Sequence, residues 1–427
     1  MSSEVKNLFE LEVCLKKDNA KSFLSTFKKV IASGRESKCT LTRNPGLTIY
    51  TPNNPQNLSA KKNVLLLIHE LSRTGAPVVA VDAAKALIKN GYFVTVITMR
   101  RGPLLKELLE SGIPVVFDRE LELTYDSRII MEAKNTPMYV DHFIKSFDQA
   151  IIVTAVYCNL IHRLNGSTKT PIIWWLHEGT ATYDNLAPLM PTTIIPPIRV
   201  YTGGKYALDQ LRNYNLFYPA KILNYGLIDT FDPENSSTSH DKVNFILPGS
   251  IGKRKGQKIL LDAIELLPPK YQKAANFTFI GDIVSEADID GKNTKNALLS
   301  ASRNHANIDY ITSVTREGLF DIYKKTDVLV LPSLDDPMPV VATEALMLEK
   351  IVLCSDTTGT SYYLKDGENG FIFGSGNVPK LAEKIQYIID HKDDLAKIGQ
   401  NGRQVYLQNF EMGIFENNLL NIIKEAA

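Results

Sequence analysis

The segment Asn63–Thr98, NVLLLIHELSRTGAPVVAVDAAKALIKNGYFVTVIT, decides the fold of this chain. Its first residues, Asn63–Ile68, form a short run of branched apolar side chains, which predicts a buried strand. Ala76–Asn90 places apolar residues at helical spacing, and Gly91 follows as a residue that commonly terminates helices. Tyr92–Thr98 then predicts a second strand. Strand, helix and strand in this order are typical of a parallel sheet covered by helices.

The alternation continues beyond this segment and then restarts, which predicts two domains of the same class. Between Gly226 and Lys242 the sequence changes to polar and turn-forming residues, as expected of an interdomain linker. The fold class is therefore α/β, with two Rossmann-like doubly wound domains. Further strands are expected at Val115–Phe117, Ala150–Thr154, Ile172–Leu176 and Lys221–Asn224 before the linker, and at Asn244–Leu247, Phe277–Ile280, Ile308–Ile311, Asp327–Leu331 and Ile351–Ser355 after it.

The length of 427 residues also exceeds what one hydrophobic core usually serves, which agrees with two domains.

Within the first 60 residues, Val5–Ala32 is amphipathic and rich in lysine, and it admits two interpretations. It is a helical appendage, or it is an interfacial membrane helix that carries Phe9, Leu11, Phe23 and Phe27. The expected organisation is an N-terminal helical extension at 1–60, an N-terminal domain at 61–228, a linker at 229–242, a C-terminal domain at 243–410, and a final helix at 411–427 that could cross back to the N-terminal domain.

Charge and cysteine content exclude several classes of protein. With 48 basic and 47 acidic residues the formal net charge is +1, so bulk charge predicts no nucleic-acid partner. No apolar run reaches the ~20 residues that span a bilayer, so we expect a cytoplasmic protein. Basic pairs such as Arg100 and Arg101 could still contact the inner face of a membrane.

The cysteines have no metal-ligand spacing and suit free thiols in a reducing compartment: Cys14, Cys39, Cys158 and Cys354.

The turn His69–Pro77, HELSRTGAP, leads from the first strand into a helix. Thr74, Gly75 and Ala76 lie at the expected start of this helix, where free amide groups and the helix dipole attract phosphate or another oxyanion. A simple tight turn is the alternative. Because no GxGxxG motif follows the strand, a dinucleotide-dependent dehydrogenase is not expected.

The run Ile172–Gly179, IIWWLHEG, ends a predicted strand with His177 and Glu178. Ligands of doubly wound sheets bind at this edge, so His177 is a candidate functional residue, with a structural hydrogen bond as the alternative. No HExxH motif is present, so zinc is not expected.

The second domain begins with Asn244–Gly256, NFILPGSIGKRKG, a strand that leads into a turn with three adjacent cations. Lys253, Arg254 and Lys255 precede a helix expected at Gln257–Leu267. At that position, charge and helix dipole together could hold a diphosphate. A solvated basic turn is the alternative.

The stretch Leu331–Leu346, LPSLDDPMPVVATEAL, leaves a strand, turns through two prolines and enters a helix. Asp336 lies in the loop, and Glu344 lies eight residues later on the helix. A loop that turns back over the helix can direct both carboxylates at one polyhydroxylated ligand. Carboxylates accept hydrogen bonds from sugar and ribose hydroxyl groups, so the pair predicts a site for such a ligand.

From about Asn63 to its end the chain resembles glycosyltransferase family 4, the retaining glycosyltransferases of GT-B architecture, whose two domains face a cleft. The family signature of two acids separated by seven residues corresponds to Asp336 and Glu344, although members usually have Glu first. The resemblance implies that Glu344 binds the donor ribose and that Asp336 binds the transferred sugar. It also implies that the backbone of four consecutive residues binds the sugar or diphosphate: Met338, Pro339, Val340 and Val341.

Other landmarks of the family occur in order. Lys255 matches the phosphate-binding lysine, whereas Ser250 stands five residues earlier, where an arginine is usual, and Arg254 could substitute for that arginine. His177 matches the histidine beside the donor sugar, and Gly75 matches the glycine loop of the acceptor domain. The donor-binding residues implied in the basic loop are Gly249, Ser250, Arg254 and Lys255.

Two later segments fit the family and one departs from it. Asn224–Asp229, NYGLID, resembles its NGVD turn, and Asp366–Phe371, DGENGF, resembles its DGxNG loop. Many members have a Glu shortly after a GG pair, where this chain has Thr358–Tyr363, TGTSYY. The donor-sugar contacts there are therefore expected to differ.

The resemblance implies transfer of a hexose, with retention, from a nucleoside diphosphate sugar to a hydroxyl group of a glycan or glycolipid acceptor. His177, Lys255 and Asp336 are the implied catalytic residues. No metal or cofactor is expected, because cations serve the diphosphate and the one DxD, Asp288–Asp290, lies in a polar loop typical of solvated surface. Two other functions stay open: a nucleotide-sugar 2-epimerase, and a noncatalytic subunit of a glycosyltransferase complex, which Ser250 would suit.

Overall fold

The computed structural model describes residues 10–11, 20–33, 38–41, 46–125, 138–233 and 241–426. Contacts divide the chain into two compact units. Within the described ranges, the first unit consists of Met1–Gly203, Ala207–Tyr225 and Phe415–Ala427, and the second of Gly204–Tyr206 and Gly226–Ile414. Each unit is an α/β domain built on a mainly parallel sheet, as predicted.

One nine-stranded sheet forms the centre of the described part of the first unit. Its strands are β1 (Lys38–Leu41), β2 (Leu47–Tyr50), β3 (Asn63–Glu70), β4 (Phe93–Arg100), β5 (Val115–Asp118), β6 (Gln149–Val153), β7 (Ile172–Leu176), β8 (Ile198–Thr202) and β9 (Lys221–Ile222). Their order is β1-β2-β5-β4-β3-β6-β7-β8-β9, and β2 runs antiparallel to both neighbours whereas the other adjacent pairs are parallel. The strand order reverses between β3 and β6, the point where doubly wound sheets bind ligands at their carboxyl edge.

Helices cover this sheet because each has one apolar face. The helix that starts at Gly75 buries Val79, Ala83 and Leu87, which recur at helical spacing. The helices of the first unit are α1 (Ala20–Ser33), α2 (Gly75–Lys89), α3 (Leu104–Glu110), α4 (Tyr139–Ser146), α5 (Cys158–Leu164), α6 (Thr180–Leu186) and α7 (Lys205–Asn213), of which the first two residues of α7 group with the second unit.

The described residues before 61 differ from the expected helical extension, since they contribute to the core and the sheet of the first unit. Phe23 and Phe27 of α1 contact Phe143 of α4 edge to face, with ring centroids 4.9 and 5.2 Å apart. β2 pairs with β5 and so extends the sheet. Leu11, Phe23 and Phe27 are at most 1% exposed, which corrects the interfacial-helix hypothesis for these side chains. Phe9 lies outside the described residues.

The second unit has a six-stranded parallel sheet, within the residues that the structure describes. Its strands are β10 (Val243–Pro248), β11 (Ala275–Ile280), β12 (Ile308–Ile311), β13 (Val328–Leu331), β14 (Ile351–Ser355) and β15 (Phe371–Phe373), in the order β12-β11-β10-β13-β14-β15. The order reverses between β10 and β13, so the loops after these two strands meet at the ligand-binding edge. The helices are α8 (Gln257–Leu266), α9 (Pro269–Ala274), α10 (Ile289–Asn304), α11 (Arg316–Lys324), α12 (Val340–Met347), α13 (Val378–Asp390) and α14 (Leu395–Asn409).

A last helix, α15 (Met412–Ala426), packs on the first unit from Phe415 onward. The Phe415 ring lies 5.9 Å from that of Trp175, and the Ile423 carbonyl accepts a hydrogen bond from Gln149 Nε2 at 2.5 Å. Part of the expected linker, residues 234–240, lies outside the described residues.

Cys158 and Cys354 are free and buried, as the cysteine pattern predicts. Cys14 and the side chain of Cys39 lie outside the part of the chain that the structure describes. In the described ranges, every helix is too short or too polar to cross a membrane.

Candidate functional site

The basic loop after β10 has a fixed backbone. Gly256 adopts a left-handed conformation with φ 74°, and a Cβ atom there would lie 2.1 Å from the carbonyl oxygen of Pro332. Gln257, which is fully buried, donates a hydrogen bond to the Ser250 carbonyl at 3.0 Å and accepts one from the Gly252 amide at 3.3 Å. The Leu334 amide also donates a hydrogen bond to the Arg254 carbonyl at 2.8 Å, which holds this loop against the loop after β13.

Lys255 and Asp336 meet at this edge. Lys255 Nζ lies 2.5 Å from Asp336 Oδ2, and their side chains are 18% and 7% exposed. Arg254 Nη1 lies 3.8 Å from Asp336 Oδ1 and donates a hydrogen bond to the Asp335 carbonyl at 2.7 Å. Two of the three predicted cations therefore converge on the first acid of the signature, while Lys253 is exposed to solvent.

The backbone around Asp336 is held by the loop after β14. The Asp336 amide donates to the Thr357 carbonyl at 3.2 Å, and the Asp336 carbonyl accepts from the Gly359 amide at 2.7 Å. A Cβ atom at Gly359 would lie 1.6 Å from the carbonyl oxygen of Pro337, so the two loops approach this closely only with glycine there. Tyr362, which stands near where the family has a Glu, is 47% exposed.

The start of α12 follows directly. Met338, Val340 and Val341 are half-buried, and Pro339 is the N-cap residue, whose side chain makes no capping hydrogen bond. The first amide groups of a helix have no intrahelical acceptor, and the helix dipole makes this end positive. Arg254 and Lys255 contact Asp336, which lies shortly before this helix start in the chain. The arrangement therefore suits a phosphate group.

Glu344 has a separate set of partners. Its Oε1 atom lies 3.4 Å from Arg316 Nη2, and its Oε2 atom accepts a hydrogen bond from Tyr323 Oη at 3.4 Å. Burial raises the pKa of the Glu344 carboxyl group, against the lowering effect of Arg316 and of the Tyr323 hydrogen bond. Sequence reasoning found Glu344 but missed both partners, because they lie in α11, 28 and 21 residues earlier in the chain.

In the first unit, His177 follows β7 and packs on Trp175, with ring centroids 4.4 Å apart. A Cβ atom at Gly203 would lie 2.4 Å from His177 Nδ1, so glycine there leaves room for the ring. The Nε2 atom is inaccessible to solvent and has no hydrogen-bond partner among the described residues. Burial lowers the pKa of His177 to about 3, which keeps the ring neutral at physiological pH.

Glu178 ties two loops together at the same edge. Its Oε1 atom accepts a hydrogen bond from the Ala155 amide at 2.5 Å, and its Oε2 atom accepts one from the His177 amide at 2.8 Å. Burial raises the pKa of Glu178 to about 7, despite these two hydrogen bonds. The carboxyl group therefore fixes the backbone that carries His177.

The predicted oxyanion turn starts α2. Thr74 is the N-cap residue, and its Oγ1 atom lies 2.8 Å from Ser72 Oγ. Gly75 is exposed and lacks a left-handed φ, and a Cβ atom there would meet no atom of the described residues within 4 Å. Packing within the chain therefore does not require glycine at this position, which leaves close approach by a ligand as a reason for it. Ala76, the next helical residue, is half-buried.

The remaining landmarks have structural partners. Asp229 pairs with Arg403 at 2.5 Å, and Asp366 pairs with Lys384 at 2.6 Å. Asp288 accepts a hydrogen bond from the Gly291 amide at 2.9 Å and so caps α10. Across the described ranges, no cluster of three or more His, Cys, Asp or Glu side chains could hold a metal ion.

Two family models match the sequence. The model "Glycosyl transferases group 1" matches residues 229–405, and the model "Glycosyl-transferase family 4" matches residues 60–193. The first match contains Lys255, Asp336 and Glu344, and the second contains Gly75 and His177.

Curated and solved proteins show the same likeness. Spore coat protein SA of Bacillus subtilis is 22% identical over 83% of this chain and 95% of its own length. The capsular polysaccharide biosynthesis glycosyltransferase CapM of Staphylococcus aureus is 29% identical over 41% of this chain and 45% of its own length. Three other relatives align over 41 to 52% of their own length. The structure of Anabaena Alr3699/HepE in complex with UDP and glucose has a TM-score of 0.65 and 16% identity, over 84% of this chain and 99% of that one.

Proposed function

Because the chain belongs to the GT4-type glycosyltransferases of the GT-B fold, we propose that it transfers a hexose, with retention, from a nucleoside diphosphate sugar to a hydroxyl group of a glycan or glycolipid. The observation that carries this proposal is the convergence of Lys255 and Arg254 on Asp336, next to the start of α12.

The diphosphate binds at these cations and at the first amide groups of α12. Negative charge grows on the diphosphate as the bond to the sugar breaks, so fixed cations and amide groups stabilise the transition state more than the ground state. Lys255 has the leading role, because Asp336 and the loop hold its ammonium group in place. These cations provide the charge that a metal ion would otherwise supply.

The two acids bind different parts of the donor. Glu344 accepts hydrogen bonds from the ribose hydroxyl groups, and Arg316 balances its charge at 3.4 Å. Asp336 accepts hydrogen bonds from the transferred sugar and orients Lys255 at the same time. We assign Asp336 to sugar binding and not to nucleophilic attack. In the mechanism that the family resemblance implies, the leaving diphosphate itself guides the acceptor to the same face of the sugar.

His177 acts as a neutral hydrogen-bonding group toward the sugar. Its pKa of about 3 excludes a stored positive charge near pH 7. Glu178 positions it through the His177 amide.

UDP is the first nucleotide to test, because the related Anabaena protein is described in complex with UDP and glucose. The experiment incubates the protein with UDP-glucose and acceptor candidates and follows the anomeric protons by NMR. We expect a glycoside with the α configuration of the donor. A β-glycoside would contradict retention, and an epimerised sugar formed without acceptor would indicate the 2-epimerase instead. A protein that binds no nucleoside diphosphate would fit a noncatalytic subunit.

A further inference from the structure

A second group of polar side chains lies at the carboxyl edge of the first unit, after β3, β4 and β5. His69 and Glu70 end β3, and Arg100, the register partner of Glu70, ends β4. Tyr125 ends a short 3-10 helix, Arg119–Tyr125, that follows β5. The proposed donor chemistry uses none of these residues.

The side chains of this group are close to one another. Glu70 Oε1 accepts a hydrogen bond from Ser72 Oγ at 2.6 Å and lies 3.9 Å from His69 Nε2. The Arg100 guanidinium group lies 5.5 Å from the centre of the Tyr125 ring. Ser72 in turn contacts Thr74, the N-cap residue of α2.

Two buried polar atoms in this region have no hydrogen-bond partner within the described ranges: His69 Nδ1 and Tyr157 Oη. The Tyr157 side chain is 0% exposed. The short 3-10 helix Ala155–Tyr157 contacts the 3-10 helix that ends at Tyr125, which places Tyr157 in this region. Burial raises the pKa of Tyr157 strongly, and charge interactions with Tyr125 and Asp118 raise it further. A buried polar atom without a partner is costly, and a bound ligand that hydrogen-bonds to it removes that cost.

The charges of the group nearly cancel. Glu70 and Arg100 have opposite charges, and both interact with Tyr125, as does Glu122. Burial lowers the pKa of His69. Glu70 raises this pKa and Arg100 lowers it, and the net effect is a lowered pKa, so the imidazole is neutral near pH 7. The guanidinium group of the next cation, Arg101, stacks on Phe117 at 4.5 Å. Among these side chains Glu70 offsets Arg100, so they do not provide the excess of positive charge that a phosphate would require.

The chemistry of the group suits hydroxyl groups on a ring. A carboxylate accepts two hydrogen bonds, a guanidinium group donates in a fork, and neutral imidazole and phenol groups both donate or accept. Tyr125 is 42% exposed and offers an aromatic face to the C–H side of a sugar.

We propose that Glu70, Arg100 and Tyr125 bind a neutral sugar residue of the acceptor, so that the acceptor is a saccharide chain and its recognised part is not a phosphate or lipid headgroup. This inference rests on the proposed function, since it names the acceptor of that reaction.

The test uses saturation-transfer NMR with methyl α-glucoside, methyl β-galactoside and methyl N-acetyl-β-glucosaminide as probes, without donor. We expect at least one glycoside to bind the wild-type protein, and Glu70→Gln and Tyr125→Ala to reduce its signal about fivefold or more. Glu110→Gln, a change at an exposed acid at the end of α3 and outside this group, is the matched control and should retain the signal.

The readout on nucleotide binding separates this inference from the proposed function. UDP affinity by calorimetry should be the same in wild type, Glu70→Gln and Tyr125→Ala. If UDP binds but no glycoside does, or if the variants bind the glycoside as wild type does, the acceptor inference is wrong and the donor assignment stands. If inorganic phosphate competes with the glycoside, the site recognises an anion and the inference is also wrong.

Discussion

Lys255 and Asp336 form an ion pair, with Nζ and Oδ2 2.5 Å apart, although 81 residues separate them in the chain. Both side chains are largely buried, and Arg254 Nη1 lies 3.8 Å from the other carboxylate oxygen of Asp336. The pair joins the loop after β10 to the loop after β13, the two strands at which the sheet order reverses. In our account the carboxylate holds the lysine ready for a diphosphate and also contacts the sugar.

Lys255→Ala should lower turnover about tenfold or more, which corresponds to about 1.4 kcal/mol of barrier, because it removes the cation that faces the leaving diphosphate. Initial rates with the donor identified by screening measure this effect. Lys253→Ala is the matched control, since Lys253 belongs to the same 3-10 helix but is exposed. Equal losses in the two variants would point to a general effect of surface charge.

Glu344→Gln should weaken nucleotide binding about tenfold, because an amide accepts fewer hydrogen bonds from ribose hydroxyl groups than a carboxylate does. The melting temperature should not fall, since burial already disfavours the charged form and raises the pKa of Glu344. Calorimetry with UDP and thermal unfolding of the same sample separate the two effects. A variant with wild-type affinity would remove Glu344 from the nucleotide site.

Gly75→Ala should fold normally, because the added Cβ atom meets no atom within 4 Å in the described part of the chain and the backbone is not left-handed. Its turnover should nevertheless fall several-fold if a ligand approaches this turn closely. Gly91→Ala is the contrasting variant, since φ is 83° there and the substitution should lower the melting temperature. A fully active Gly75→Ala variant would favour the simple tight turn.

Glu178 predicts a dependence of stability on pH. Its pKa is raised from 4.5 to about 7, so the folded chain retains a proton that the unfolded chain has released. The stabilising effect of this proton is complete below about 4.5 and is lost as the pH rises through about 7. The free energy of unfolding of wild type, minus that of Glu178→Gln, should therefore decrease over this range. Urea titrations at several pH values measure it, and parallel curves for the two proteins would show that the pKa of Glu178 is not raised.

Local sequence was sufficient for most of the fold. The strand at Ile172–Leu176 and the strand at Ile351–Ser355 occur at the predicted bounds, because buried parallel strands have nearly continuous apolar sequences. The strand Leu47–Tyr50 was missed, since it is short and pairs with Val115–Asp118, more than 60 residues later. Three-residue β15, Phe371–Phe373, is also too short to give a pattern.

For the candidate site, too, the sequence was sufficient for some features and not for others. Lys255, Asp336 and Glu344 could be found because each lies next to a predicted strand end or helix start. Their contacts could not be predicted, since Lys255 pairs with Asp336 across 81 residues and Glu344 contacts Arg316 across 28. The membrane interpretation of Phe23 and Phe27 was wrong because an amphipathic helix has the same pattern whether its apolar face meets lipid or a protein core. The functional roles of the site residues stay predictions.

Calorimetric titration of the wild-type protein and of Lys255→Ala with UDP, GDP and ADP, without divalent cations, tests the central claim most directly. We predict that wild type binds at least one of these nucleotides and that Lys255→Ala binds it about tenfold more weakly or worse. If the wild-type protein binds none of them, or if Lys255→Ala binds as tightly as wild type, then the Lys255–Asp336 pair is not the centre of a nucleotide-sugar site.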